Sequence, residues 1–358
     1  MTPEPSSPIP AQILATEESQ VAALSQFLIE GFQLPEAGRS ALLPEPLRWR
    51  YFEPRGHWPG PRSLIVRDAG NFTAHIGVIT TAFVQPGQPS FNVSAVHPVD
   101  WLSTKQGGML GTLLMLKAFG RADVQYSLGS TASGQRILQG CGFTRVCDVP
   151  ILYRYFKPAK REVWNLLHGQ QRFPKNVVMF GLDMARSILG RFNRTPQSAL
   201  TLRPVNEFTG EVETLFHSRQ KNVLCSSRSA ALLNYFLRHP DKRFQGWMLE
   251  RSGKAIGFAL THIIERDNLV QGKIADCFLA EDDPSLWSEA IGLLTDHLQQ
   301  SGCDLARTLA SAPAMQQALR ASGFFPRGNC GFFLRDTRNL LPKDRAFHLT
   351  MLEGDTSY

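Results

Sequence analysis

The chain repeats itself once, and this constrains its fold more than any other feature. Four landmarks recur in the same order at nearly one offset. Tyr51-Phe52 returns as Tyr235-Phe236, 184 positions on. Gly77, within Ile76-Gly77-Val78-Ile79, returns 180 on as Gly257 within Ile256-Gly257-Phe258-Ala259. Asp100-Trp101-Leu102 returns 176 on as Asp276-Cys277-Phe278, and Gly142-Phe143 returns 181 on as Gly323-Phe324. The offset drifts only by loop-sized amounts. A period this long marks a duplicated domain rather than a stack of short repeats. With 358 residues, each copy has ordinary domain length, and 43% hydrophobic residues let each bury a core.

Both copies read alike. An amphipathic helix (Glu17 to Phe32; Glu207 to Arg219) precedes a short helix carrying the Tyr-Phe pair. Two strands follow, joined by polar turns at Asp68-Ala69-Gly70-Asn71 and Arg251-Ser252-Gly253-Lys254. A strand, a helix, a strand, a helix and closing strands complete each copy, so the expectation is two tandem α/β domains with α+β mixed sheets. In chain order they occupy 1–156 and 201–340, with a linker at 157–200 and a tail at 341–358.

The linker holds most of the chain's formal +7 charge, with eight Lys and Arg against Glu162 and Asp183. Val178, Leu182, Ala185, Leu189 and Phe192 recur at helical spacing. This stripe reads either as a connecting helix packed on a domain or, across 174–193, as a peripheral contact with anionic lipid. Basic residues confined to one segment do not form the broad face of a nucleic-acid binder, so no DNA partner is expected. Met1 to Pro10 lacks the pattern of a secretory signal, and no run approaches the roughly 18 apolar residues of a membrane span. Six cysteines without CxxC or CxxH spacing read as buried thiols in a reducing compartment, with no metal. The expectation is a cytoplasmic protein.

Chemistry concentrates after the third strand of the first copy. In Trp101-Leu102-Ser103-Thr104-Lys105-Gln106-Gly107-Gly108-Met109-Leu110-Gly111-Thr112, a strand ends, glycines turn the chain and an apolar helix begins. Glycines let a phosphate approach the backbone, the helix N-terminus offers N–H groups and partial positive charge, and Lys105 adds a cation. The turn lacks both the Gly-Lys-Ser/Thr ending of a P-loop and the G-x-G-x-x-G of a dinucleotide site.

These residues resemble the acyl-CoA loop of the GNAT acyltransferase superfamily, with Lys105, Gly108, Met109 and Leu110 in register and Leu110 where Gly or Ala is usual. A second match runs from Leu128 to Gly142-Phe143, with Thr131 in the position of the family's helix-capping Asn. The resemblance implies a splayed sheet with the pantetheine in the split, paired with backbone near Trp101 and Leu102. Lys105, Gln106, Gly107, Gly108, Met109, Leu110 and Gly111 would hold the pyrophosphate, and Thr131 would meet the pantetheine arm. The implied reaction is attack by a neutral amine on a CoA thioester, with proton removal, carbonyl polarisation and protonation of the departing thiolate. The family's tyrosine acid has no counterpart, since that position is Leu138, and Leu319 in the second copy.

Three residues are candidate bases. Asp100 would face a partly dry cleft with a raised pKa, or else hold a loop, as its recurrence as Asp276 suggests. His97 titrates near working pH, or is an exposed loop residue before Pro98. Glu53 would face the acceptor amine, or be solvated at a helix end. Trp49, Tyr51 and Phe52 line the acceptor pocket or belong to the core.

The second copy's equivalent turn, Leu279-Ala280-Glu281-Asp282-Asp283-Pro284-Ser285, has three acids, a proline and no glycine. Its acids would repel a pyrophosphate, and Pro-Ser reads as a plain helix start. The expectation is therefore an N-acyltransferase, an N-acetyltransferase in the simplest case, with its acyl-CoA site in the first copy and a small-molecule or sugar-like amine as acceptor. Two other readings stay open: a non-catalytic acyl-CoA sensor or scaffold, and an aminoacyl-tRNA-dependent transferase with the linker on RNA. Duplication is compatible with a monomer or a dimer.

Overall fold

The computed structural model describes residues 12–34, 36–55, 60–68, 70–104, 108–160, 199–218, 223–266 and 268–354. Lys105, Gln106, Gly107 and the 174–193 stripe lie outside them.

The first copy runs β1 (Ile13–Ala15), α1 (Val21–Phe32), α2 (Pro44–Phe52), β2 (Ser63–Asp68), β3 (Asn71–Gln85), β4 (Gln88–Ser103), α3 (Gly108–Phe119), β5 (Val124–Leu128), α4 (Ala132–Gly140) and β6 (Thr144–Tyr155). The second runs β7 (Leu200–Val205), α5 (Glu211–Ser218), β8 (Val223–Ser226), α6 (Ala230–Leu237), β9 (Phe244–Arg251), β10 (Lys254–Arg266), β11 (Leu269–Leu279), α7 (Pro284–Gln300), β12 (Leu305–Leu309), α8 (Pro313–Ala321) and β13 (Phe325–Arg335). Apart from β8, the two lists match element for element, so the duplication is a duplication of fold. A final strand, β14 (Ala346–His348), follows.

Two compact units result, and the chain passes between them inside β3 and inside β4. One comprises Met1–Glu53, Trp58–Thr80 and Val96–Ala122. Here β1 pairs with β2 and β2 with β3, both antiparallel. Val21, Leu24, Ser25 and Leu28 repeat at helical spacing and bury one face of α1 against Leu42, Leu47 and Tyr51. Pro44 opens α2, where its missing N–H costs no helix bond. Gly31 makes room for Leu102, whose side chain occupies the space a Cβ would need.

The other unit holds the rest, with β5, β13, β6, β12, β11, β10, β9 and β7 as successive neighbours in one sheet. The closing strands are exchanged: β13, from the second copy, pairs with β5 of the first, while β6 pairs with β12 of the second. β6 and β13 also pair with each other, so the two copies share hydrogen bonds along their last strands. One face of this sheet buries Leu152, Ile274, Cys277 and Ala306 under α7 and α8. The β9–β10 turn places Ser252 and Gly253 both at positive φ (52° and 77°), the backbone of a type I′ hairpin that Ser-Gly accommodates. The segment 341–354 contributes to the core: Leu341, Leu349, Met351 and Leu352 are buried, and β14 pairs in parallel with β8.

Candidate functional site

The end of β4 and the start of α3 form one assembly in the first unit. Trp101 Nε1 donates to the Gly111 carbonyl at 3.0 Å, tying the strand end to the first helical turn. A Cβ on Gly111 would meet Ser103 Oγ at 3.1 Å and Trp101 Nε1 at 3.2 Å, so its smallness serves this close strand–helix approach. Gly108 is the first residue of α3. Met109 is 81% exposed, and with Leu113 and Leu116 it forms an exposed stripe at i, i+4 and i+7. From Gly108 to Ala122 the chain carries no carboxylate, only Lys117 and Arg121. The helix therefore presents its positive dipole end with no acid of its own to oppose an anion.

Asp100 sits at the hinge before this assembly, with φ at 47°. Its carboxylate accepts from the Arg50 guanidinium, and from Tyr51 Oη at 2.5 Å. Burial alone would raise its pKa, but the Arg50 charge and the Tyr51 hydrogen bond outweigh it and hold the carboxyl below its usual value. The raised pKa expected from sequence is thus corrected: the cleft is dry, but its cation keeps Asp100 ionised. Tyr51 reaches Asp100 across Gly77, where a Cβ would overlap the phenol oxygen. That crossing accounts for Gly77. Gly257, its counterpart, is equally obligatory, because a Cβ there would strike the Phe278 carbonyl.

Behind Asp100 lies a hydrogen-bonded chain that no sequence pattern marked. His75 Nδ1 faces the Asp100 backbone carbonyl at 2.8 Å, which can only accept, so Nδ1 carries the proton. Neutral Nε2 then accepts from Ser63 Oγ at 2.9 Å, and Ser63 Oγ lies 2.6 Å from Thr16 Oγ1. Burial lowers the His75 pKa from 6.5 to about 4, against the opposing pull of the Asp100 carbonyl. His75 is thus a neutral, fully bonded strut.

The other candidates fall as follows. His97 is buried within β4, which corrects the reading of it as an exposed loop residue. Glu53 ends α2, half-buried, and its carbonyl accepts from Arg62. Trp49 and Tyr51 are buried, and Tyr51 belongs to the α1–α2 core. Thr131, in the second unit, is the N-cap of α4, accepting from Gly134 N at 3.2 Å. Leu138 is buried and offers no proton.

The second copy's turn is chemically different. Asp283 caps α7, accepting from Ser285 N at 2.7 Å and Ser285 Oγ at 2.8 Å, while Asp282 accepts from the buried Trp287 indole at 2.8 Å. Carboxylates fill the positions where an anion would have to sit. Asp276 repeats the fate of Asp100: Arg228 grips it with Nε at 2.9 Å and Nη2 at 3.1 Å. Arg228 also holds Glu353 at 2.6 Å, and Thr350 Oγ1 donates to Asp276 at 2.9 Å, so this wholly buried cluster anchors the chain's last turn. No group of three His, Cys, Asp or Glu among the described residues is arranged to hold a metal, and no described helix is long and apolar enough to cross a membrane.

No family model matches the sequence, and neither does any curated protein. Solved structures do match. N-myristoyltransferase from Saccharomyces cerevisiae with bound myristoyl-CoA aligns with a TM-score of 0.60 at 14% identity, covering 93% of this chain and 85% of that one. A GCN5-related N-acetyltransferase from Anabaena variabilis aligns with a TM-score of 0.56 at 10% identity, covering 91% and 72%. A putative acetyltransferase from Pyrococcus horikoshii aligns at 0.53 and 10%, covering 96% of both chains. The protein therefore has the GNAT fold in its tandem, two-copy form.

Proposed function

We propose that this protein is an acyl-CoA-dependent N-acyltransferase whose donor site lies in the first copy, at the β4–α3 turn. The observation that carries the reading is the contrast between two equivalent turns. The first leads into a helix free of carboxylates, with Gly111 packed on Trp101 and Met109 exposed. At the second, Asp282 and Asp283 occupy the helix entrance. A CoA pyrophosphate is attracted to the first and repelled from the second. Gly108, Met109, Leu110 and Gly111, with Lys105, Gln106 and Gly107 before them, would hold it, and the backbone of Trp101 and Leu102 would meet the pantetheine.

In the reaction an amine lone pair forms the C–N bond, the thioester C–S bond breaks, and the ammonium proton leaves while the thiolate gains one. Asp100, ion-paired and hydrogen-bonded, is a poor base and instead fixes the strand end carrying Trp101 and Leu102. His97 and Glu53 remain the proposed proton acceptors. The acceptor is a small or sugar-like amine, and acetyl is the simplest donor. The neighbour with bound myristoyl-CoA supports an acyl thioester and leaves chain length to experiment. The setting is cytoplasmic.

One observation favours a second reading, an acyl-CoA sensor without turnover: Leu138 is buried where the family places its acid. The aminoacyl-tRNA and 174–193 lipid-contact readings rest on the basic linker alone. Free-thiol release from acetyl-, octanoyl- and myristoyl-CoA over a panel of amines separates enzyme from sensor. The enzyme reading expects amine-dependent release for one of these donors, at least tenfold above hydrolysis. Tight acyl-CoA binding with no release over the whole panel would select the sensor.

A further inference from the structure

Strand register places six side chains in one row across the second unit's sheet. Phe244 lies opposite His262, His262 opposite Lys273, Lys273 beside Arg307, Arg307 opposite Tyr153, and Tyr153 opposite Phe325. Register partners point to the same face, so the centre of the row is His262, Lys273 and Arg307, walled by aromatic rings. His262 is 2% exposed and stacks on Phe244, ring centroids 4.6 Å apart at 26°. Neither of its ring nitrogens has a partner among the described residues. Arg307 forms no hydrogen bond or ion pair with any described residue, and its Nε is buried. Nearby Arg243 is different, since Asp241 answers it at 2.5 Å and its Nε donates to His239 Nδ1 at 3.2 Å.

This arrangement breaks two rules at once. Like charges on neighbouring strands repel, and a buried imidazole normally finds a partner. Such violations cluster at functional sites. Burial is the largest cause holding the His262 pKa down, followed by the charges of Lys273 and Arg243 and, behind them, Arg307. Arg307 and Tyr153 are half-buried, so the row meets solvent at its middle.

We propose that this row binds an oxyanion, the phosphate or carboxylate of a ligand, with the Arg307 fork and the Lys273 ammonium as its cations and His262 N–H and the Tyr153 hydroxyl as neutral donors. A guanidinium offers two parallel N–H bonds to either group, and an ammonium beside it adds a point charge. The row shares no residue with the proposed donor turn, and the proposal does not depend on acyl-CoA binding.

The test is thermal unfolding at constant ionic strength in a Gly108→Glu background, which removes the donor turn as a source of phosphate binding. Sodium chloride is exchanged for inorganic phosphate, pyrophosphate or succinate, each to about 20 mM. At least one of these oxyanions should raise the midpoint in proportion to the logarithm of its concentration, and which one does so tells phosphate from carboxylate. Arg307→Gln and Lys273→Gln should each weaken that response about tenfold, whereas Lys254→Gln, on the exposed hairpin end of β10, should not. In chloride alone, Arg307→Gln should unfold at the same temperature as its parent or higher, because it relieves a like-charge pair. No stabilisation by any of the three anions, a response equal in Arg307→Gln and Lys254→Gln, or a lowered midpoint for Arg307→Gln in chloride would each overturn the proposal.

Discussion

Asp100 shows how one residue's surroundings decide its role. A buried carboxylate with no cation would titrate upward and serve as a base; beside Arg50 and Tyr51 it stays charged. Tyr51→Phe removes a hydrogen bond to an ionised group and should lower stability by about 2 kcal/mol in urea unfolding. Gly77→Ala should cost about 1–3 kcal/mol, because Tyr51 must move aside. His75 adds a pH dependence. Its folded pKa of about 4 lies below the ordinary 6.5, so the neutral form favours the native state. Stability should be full above pH 6.5 and fall as pH drops toward 4, by roughly 3 kcal/mol from this group. The depressed Asp100 acts in the same direction at still lower pH. His75→Gln should flatten the pH 6.5 to 4 limb of the stability curve, and an unchanged limb would show that another group drives it. Asp100 was legible in the sequence through its recurrence as Asp276. Its partners were not, because Arg50 and Tyr51 approach from a helix some 50 residues earlier, and no local pattern records such a crossing. His75 was illegible for the same reason: every group it bonds lies on another element.

Among elements, the two β–α turns differ in chemistry, and that difference, on which the proposed function rests, was readable directly. Glycine against aspartate at a helix entrance is local chemistry, and the Asp283 cap and the Trp287 bond follow from it. The last described turn was not readable, since Leu349 to Glu353 is too short to show periodicity. Its place is set instead by a buried network among Arg228, Asp276, Thr350 and Glu353. Arg228→Met leaves two buried carboxylates facing each other and should destabilise by about 3–5 kcal/mol, seen as a lowered urea midpoint. A chain ending after Arg345 loses β14 and the Thr350 and Glu353 partners of Arg228, and should fall by a similar amount. Native-like stability of that truncation would mean the segment is only a surface tail.

At the scale of the whole molecule, duplication explains most of what the sequence revealed. Periodicity and turn residues are local signals, and each was printed twice, so the element order of both copies could be read from the first helix on, without the short strands β1, β7 and β8. The exchange of closing strands could not, because which strand lies beside β5 and which beside β12 is a long-range pairing that no local pattern records. That exchange binds the copies into one hydrogen-bonded sheet, so one copy expressed alone should lack a partner for its last strand and fail to give a cooperative unfolding transition. On the proposed function the copies differ at this turn, one offering it to a phosphate and the other placing acids at its helix entrance. The measurement that tests this asymmetry most directly is acyl-CoA calorimetry on the wild type and two variants, Gly108→Glu and Ser285→Glu, each checked for native circular dichroism. The account expects one site per chain, abolished by Gly108→Glu and untouched by Ser285→Glu. Binding that survives Gly108→Glu and is lost in Ser285→Glu would place the donor site in the wrong copy and contradict it.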